Sequence, residues 1–135
     1  MNYSVVYLSS ARTNLTKEDI DEIMNISQVN NISLNISGFL VYHEGTFLQL
    51  LEGEEKNVKM IYNRVLIDDR HKNIIPVLDQ ETSARFFDFY HSGFKICDNP
   101  ALVKELKEYA HRISKLPNHQ VKKTVHLVDS ILGSM

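Results

Sequence analysis

The chain predicts an α+β fold in the order β-α-β-β-α-β-β followed by two helices, and three features carry that prediction. Two apolar runs, Phe39-Leu40-Val41-Tyr42 and Phe47-Leu48-Gln49-Leu50-Leu51, flank Glu44-Gly45, which marks a β-hairpin. On either side of it, apolar residues recur at i, i+3, i+4 and i+7, the period of an α-helix. β-branched and aromatic runs precede the first helix and follow the second, where strands complete the sheet.

The first strand spans residues 3–9 and places Tyr3, Val5, Tyr7 and Ser9 on one face. Residues 10–15 form a polar loop, and Thr16-Lys17-Glu18-Asp19 supplies an N-terminal cap with acidic residues in the first turn. In the helix that follows, Ile20, Ile23, Met24 and Ser27 form a stripe, and a further step of four reaches Asn31, with Asn30 beside it. The stripe starts apolar and ends polar. Asn30-Asn31 either ends the helix, since asparagine tolerates the left-handed conformation, or aims amides at a ligand; the residues alone favour the capping role.

In the hairpin, Leu40, Tyr42, Phe47, Gln49 and Leu51 share one face, and Phe39, Val41, Leu48 and Leu50 the other. Both faces are apolar, so both need cover. Gln49 is the exception. An unpaired buried polar group costs roughly 1–3 kcal/mol, so this amide either finds partners in the core or bonds a bound ligand.

A second helix starts at Gly53-Glu54-Glu55, with Val58, Ile61, Tyr62 and Val65 as its buried stripe and Arg64 at the margin. Asp68-Asp69-Arg70-His71 closes it, and such a charged cluster reads by itself as solvated. Residues 74–78 form a short strand that Pro76 directs to a sheet edge. A polar segment, 79–85, leads to the aromatic stretch 86–94, the fifth strand, where Gly93 weakens the pairing or marks a bulge. Asp98-Asn99-Pro100 then caps a helix with Leu102, Leu106, Tyr109 and Ile113 on one stripe. After a break at Leu116-Pro117-Asn118, Val121, Val125, Val128 and Leu132 form another, so the tail is a helical hairpin. This is the ferredoxin-like plan with an added strand and tail. Its first two helices lie on one sheet face, and the terminal pair covers the other or meets a second subunit. Residues 1–96 make the core domain and residues 97–135 its C-terminal extension.

A chain of 135 residues, 43% hydrophobic and 24% charged, suits one globular domain with a real core. Its net charge of −2, without a long basic run, leaves no electrostatic footprint for nucleic acid. Cys97 is the single cysteine, which excludes an intramolecular disulfide or thiolate cluster and suits a reducing, cytoplasmic compartment. The opening MNYSVVYLSS lacks the layout of a signal peptide, and no stretch approaches the roughly 20 apolar residues of a membrane span. Neither secretion nor a membrane partner is expected.

Taken in order, several motifs resemble a known family. They are Val6-Tyr7-Leu8-Ser9-Ser10, Ser27 with Asn30-Asn31, Ile36-Ser37-Gly38-Phe39-Leu40, Phe47-Leu48-Gln49-Leu50-Leu51-Glu52-Gly53, Tyr62-Asn63-Arg64 and Asp68-Asp69-Arg70-His71. Over about residues 1–96 they look like the BLUF domains, blue-light receptors that bind FAD. The resemblance implies that the flavin ring lies between the first two helices, with Tyr7 as photochemical electron donor and Gln49 as the switch between phenol and flavin. It implies that Asn31 binds the polar edge of the ring beside Asn30 and Ser27, and that Ile23 and Met24 pack against it. Arg64, Asp68, Arg70 and His71 would contact the flavin edge, ribityl chain or phosphates.

The fifth strand departs from the family pattern F-x-x-W-S-M-G-F. Anchored on Gly93-Phe94, Tyr90 stands at the tryptophan position, His91 at the serine and Ser92 at the methionine; the chain has no tryptophan. Tyr90 and Ser92 thus occupy the output positions implied by the resemblance, and Tyr90 is a possible second donor.

The expected function is therefore a blue-light photoreceptor that signals through a separate effector or through self-association of its C-terminal helices. The rival within the same fold is a small-ligand sensor module without photochemistry. No enzymatic activity is expected: His43, His71 and His91 with Asp68 or Asp69 offer acid-base groups, but no nucleophile elbow, phosphate-cradling glycine loop or HExxH motif accompanies them. His111, His119 and His126 sit on either side of the Pro117 break, which leaves their mutual geometry open, and exposed helical histidines are the common case, so no metal is expected. A purely structural oligomer module would leave Tyr7, Gln49 and the paired asparagines unused.

Overall fold

The computed structural model describes residues 2–82, 85, 94–115 and 122–135. Within them the chain runs β1 (Asn2–Ala11), α1 (Lys17–Ser33), β2 (Ser37–His43), β3 (Thr46–Glu54), α2 (Glu55–Ile67), β4 (His71–Thr82), β5 (Phe94–Cys97), α3 (Pro100–Ser114) and α4 (Lys122–Gly133). The sheet order is β4-β1-β3-β2-β5, the ferredoxin-like arrangement with β5 added beside β2. β5 runs parallel to β2, and the other neighbours are antiparallel.

The hairpin turn places Glu44 at φ 47° and Gly45 at φ 81°, both left-handed, as a two-residue type I′ turn requires. Its register sets Tyr42 opposite Phe47 and Leu40 opposite Gln49, so the two faces are divided as the alternation predicts. Thr16 and Asp19 form a reciprocal capping box at the start of α1.

Each sheet face has its own core. Tyr7, Leu40, Phe47 and Leu51 pack under α1 and α2 with Ile23, Met24, Val58 and Ile61. Val6, Phe39, Val41, Leu48 and Leu50 pack under α3 and α4 with Leu106, Tyr109, Val125, Val128 and Leu132. Fully burying one such side chain contributes about 1.5–3 kcal/mol, which explains why a sheet apolar on both sides carries a helical layer on each. The described residues of the terminal stripes thus pack on the chain's own sheet.

Two expectations change. α1 continues past Asn30-Asn31 to Ser33; Leu34 is its C-cap, and Asn35 takes the left-handed conformation at φ 54°. The capping role falls to Asn35, because the helical period carries Asn31 into the core, where it is fully buried. β4 is a strand of 12 residues rather than residues 74–78 alone. It occupies the edge that Pro76 indicated, and an edge strand with one wet side accommodates the polar residues that resembled a loop. Of the expected fifth strand, Phe94 lies in β5, and residues 86–93 lie outside the described residues. Tyr90 and Ser92 lie outside the described residues, as do residues 116–121 between α3 and α4. Among the described residues no helix is long and apolar enough to cross a membrane, and no group of His, Cys, Asp or Glu could hold a metal ion.

Candidate functional site

Tyr7 on β1 and Gln49 on β3 are direct partners across the sheet and point into the space between α1 and α2. Both are buried. The Gln49 Nε2 donates to the Tyr7 hydroxyl, and the Asn31 Nδ2 reaches the Gln49 Oε1 at 3.5 Å. Three polar side chains from a helix and two strands thereby form one buried chain: Asn31, Gln49, Tyr7. At its end the Asn31 Oδ1 is buried and has no partner among the described residues. An acceptor left this way costs about 1–3 kcal/mol unless a ligand or water supplies a donor.

Burial pushes the Tyr7 phenol well above its ordinary pKa. The Gln49 bond opposes that rise, and Tyr62 and Asp68 reinforce it. Tyr7 is therefore a neutral phenol throughout the physiological range.

A cleft of about 190 Å³ opens between α1 and α2 above this chain. Ile23, Leu40, Ile61 and Val65 supply apolar walls, and Ser27, Asn30, Asn31 and Gln49 supply hydroxyl and amide groups. Whole-ligand pockets hold roughly 300–1,000 Å³, so this one suits the planar head of a ligand whose remainder runs along the rim. Larger grooves, of about 410 and 530 Å³, lie near the hairpin turn and the start of α1. Their linings contain no buried orphan acceptor, so the cleft between the helices is the better site despite its size.

The rim is charged. Arg70 grips Asp68 in a fork, Nε to Oδ1 at 3.0 Å and Nη2 to Oδ2 at 2.8 Å. That side-chain bond holds the Asp68 carboxyl below its usual range and raises Arg70 in turn. Solvation of this cluster, the reading favoured by its charge alone, holds only in part, since Asp68 and Arg70 are both partly buried. Arg64 stands exposed at the rim. His71 is half-buried, with its Nδ1 3.0 Å from the Ser9 Oγ and its ring 4.8 Å from that of Phe47. Burial lowers its pKa, Asp68 opposes this, and Arg70 adds to it.

The structure thus brings Tyr7, Ile23, Ser27, Asn30, Asn31, Gln49, Arg64, Asp68, Arg70 and His71 to one cleft. Met24 is buried in the adjoining core and does not line it. Ile26, Leu40, Ile61 and Val65 were not singled out as site residues and do line it. Leu40 shares its strand face with Gln49, and Ile26 follows Ile23 by three, so the periods already placed them nearby. An apolar slot with a wall of alternating donors and acceptors fits a flat heteroaromatic ring carrying carbonyl and N–H groups along one edge. The orphaned Asn31 Oδ1 is matched to such an N–H.

The profile of the family described as BLUF, sensors of blue-light using FAD, matches residues 3–93. Over 84 residues the chain is 36% identical to the blue light- and temperature-regulated antirepressor BluF of Escherichia coli (strain K12), a match covering 62% of this chain and 21% of that protein. Over 74 residues it is 35% identical to photoactivated adenylate cyclase subunit alpha of Euglena gracilis, covering 55% of this chain and 7% of that one. The chain accordingly matches less than a quarter of the length of these two relatives. The dark-state structure of BlrB, a BLUF protein, superposes with a TM-score of 0.68 at 27% identity, covering 99% of this chain and 97% of that chain.

Proposed function

Because the chain belongs to the BLUF family, sensors of blue light using FAD, we propose that it is a blue-light photoreceptor holding FAD in the cleft between α1 and α2. The observation that carries this reading is the buried Asn31–Gln49–Tyr7 chain, whose residues line the cleft and whose Asn31 Oδ1 has no partner among the described residues. Asn31, Asn30 and Ser27 would hold the polar edge of the ring between the walls formed by Ile23 and Leu40. Arg64, Arg70 and His71 would meet the ribityl and phosphate portion at the rim. When bound, the flavin supplies a chromophore that becomes a strong one-electron oxidant on absorbing blue light.

Tyr7 is the donor in this reading. A phenol that loses an electron becomes a strong acid, so its proton needs an acceptor within the site. Gln49 now presents its nitrogen to the phenol and its oxygen to Asn31. Rotation or tautomerisation of this amide exchanges donor and acceptor along the chain and changes which hydrogen bond the ligand receives. An added donor at a flavin carbonyl would stabilise the excited state and move absorption to longer wavelength. The apolar stripes of α3 and α4 are occupied by the sheet, which favours a separate cytoplasmic effector over self-association as the output.

The test is the absorption spectrum of purified protein before and after blue illumination. Wild type should be yellow and shift reversibly to longer wavelength, while Tyr7→Phe should retain flavin without the shift. Protein that stays flavin-free after reconstitution with FAD would overturn the reading, and flavin without any shift in wild type would favour the non-photochemical sensor.

A further inference from the structure

Tyr7 adjoins a second phenol that does not line the cleft. The Tyr62 ring, from α2, is centred 5.7 Å from that of Tyr7 and tilted by 43°, and it is buried. Tyr3, four residues before Tyr7 on the same face of β1, belongs to the same core, and its hydroxyl donates to the Asp79 carboxylate on β4. The charge of Asp79 also acts on Tyr62, where burial and then this carboxylate raise the pKa. One acidic group is therefore in electrostatic reach of both phenols.

Tyr7 and Tyr3 differ in what could receive a proton: the Tyr7 hydroxyl accepts from the Gln49 amide nitrogen, which is no base, whereas the Tyr3 hydroxyl donates to a carboxylate, a far better one. The Lys59 ammonium sits 4.9 Å above the Tyr3 ring and disfavours a positive charge there. An electron can thus leave Tyr3 only if its proton leaves too, and Asp79 is placed to take it.

We propose that Tyr62 and the Tyr3–Asp79 pair form a branch through which an electron hole on Tyr7 leaves the cleft. Tyr62 passes one electron to oxidised Tyr7, and Tyr3 passes one to Tyr62. The Tyr3 O–H bond breaks as an O–H bond forms on Asp79. Tyr7 returns to its closed-shell phenol, retaking from Gln49 any proton it had given up, and Tyr3 remains as a neutral phenoxyl. The electron that left Tyr7 would be held by the flavin, which supplies the oxidant on absorbing light, and its return would reverse each transfer. The branch competes with the Gln49 switch for the same hole, holding it at the sheet edge. It rests on the photoreceptor reading above.

The experiment follows the tyrosyl radical after a blue flash in flavin-loaded protein, by transient absorption and by electron paramagnetic resonance with ring-deuterated tyrosine. Wild type should form a radical that outlives the spectral switch. Tyr62→Phe, Tyr3→Phe and Asp79→Asn should each reduce it to the level of a Tyr7→Phe control while the shift persists. A long-lived radical undiminished in these variants, or none in wild type that shifts normally, overturns the branch alone. Absence of flavin or of the shift in wild type overturns the photoreceptor reading, and the branch with it. A second measurement needs no flavin. The bond to Asp79, with burial and nearby carboxylates, raises Tyr3 to about 12, so ultraviolet titration of flavin-free Asp79→Asn should bring it back toward its ordinary 10. An unchanged titration would contradict the Tyr3–Asp79 pairing.

Discussion

Asn31 shows what a single residue contributes and why it was hard to read. Its neighbours suggested a cap, because asparagine ends helices readily, and nothing local distinguishes an amide that closes a helix from one that faces inward. Gln49 and Tyr7 were legible, since strand alternation alone puts both on one face. The orphaned Oδ1 of Asn31 yields a prediction separable from folding. Asn31→Leu removes the unpaired acceptor, but it also adds bulk at a fully buried position and strips the Gln49 Oε1 of its donor, so flavin-free protein should melt somewhat lower, and its folding is measured separately from its affinity. Flavin affinity should fall by about tenfold to a hundredfold, the equivalent of one or two hydrogen bonds in a buried site. Titration of flavin fluorescence against protein measures this; an unchanged affinity would mean that the ring's polar edge is not held by Asn31.

At the scale of elements, hairpin and helices were legible because their periods are strong, while β4 was not, because an edge strand tolerates polar residues that elsewhere mean loop. The position of Gly38 was visible, but its role was not. At φ 135°, it lets β2 pass close to β3, and an added Cβ would stand 2.0 Å from the Leu50 carbonyl oxygen. That neighbour is backbone in the middle of the sheet, so it cannot move aside without disturbing the β2–β3 pairing. Gly38→Ala should therefore destabilise by about 3 kcal/mol or more, combining an unfavourable backbone region with overpacking. Gly53→Ala provides the contrast, since its Cβ would meet the Asn35 carbonyl oxygen at 3.3 Å, and a shift of a few tenths of an ångström relieves the contact. Urea unfolding midpoints should separate the two variants clearly. Equal midpoints would show that β2 can slide away from β3 without penalty.

For the whole molecule, the cleft rim links stability to pH in two separate windows. Burial holds His71 below its ordinary pKa, so the unfolded chain binds that proton more readily than the folded one. The stability this neutral ring confers is complete above about pH 6.5 and declines as pH falls below that value, with a slope of at most ~1.4 kcal/mol per pH unit for one proton. The decline ends once the folded ring also protonates. Asp68 acts lower. Its carboxyl is held down by Arg70, so its contribution is complete above about pH 4 and is lost as pH falls through its lowered folded value. Asp19, held down by the Thr16 backbone amide and hydroxyl, shares this acid limb. Unfolding midpoints measured from pH 8 to pH 3 should therefore fall in two steps. His71→Gln should flatten the upper step and leave most of the lower one, whereas Arg70→Gln should weaken the lower step and, by removing a charge that helps to hold His71 down, also shrink the upper one to a smaller degree. A His71→Gln profile still sloping between pH 6.5 and pH 5 as steeply as wild type would show that this ring, wedged between Ser9 and Phe47 at the mouth of the cleft, is as easily protonated folded as unfolded.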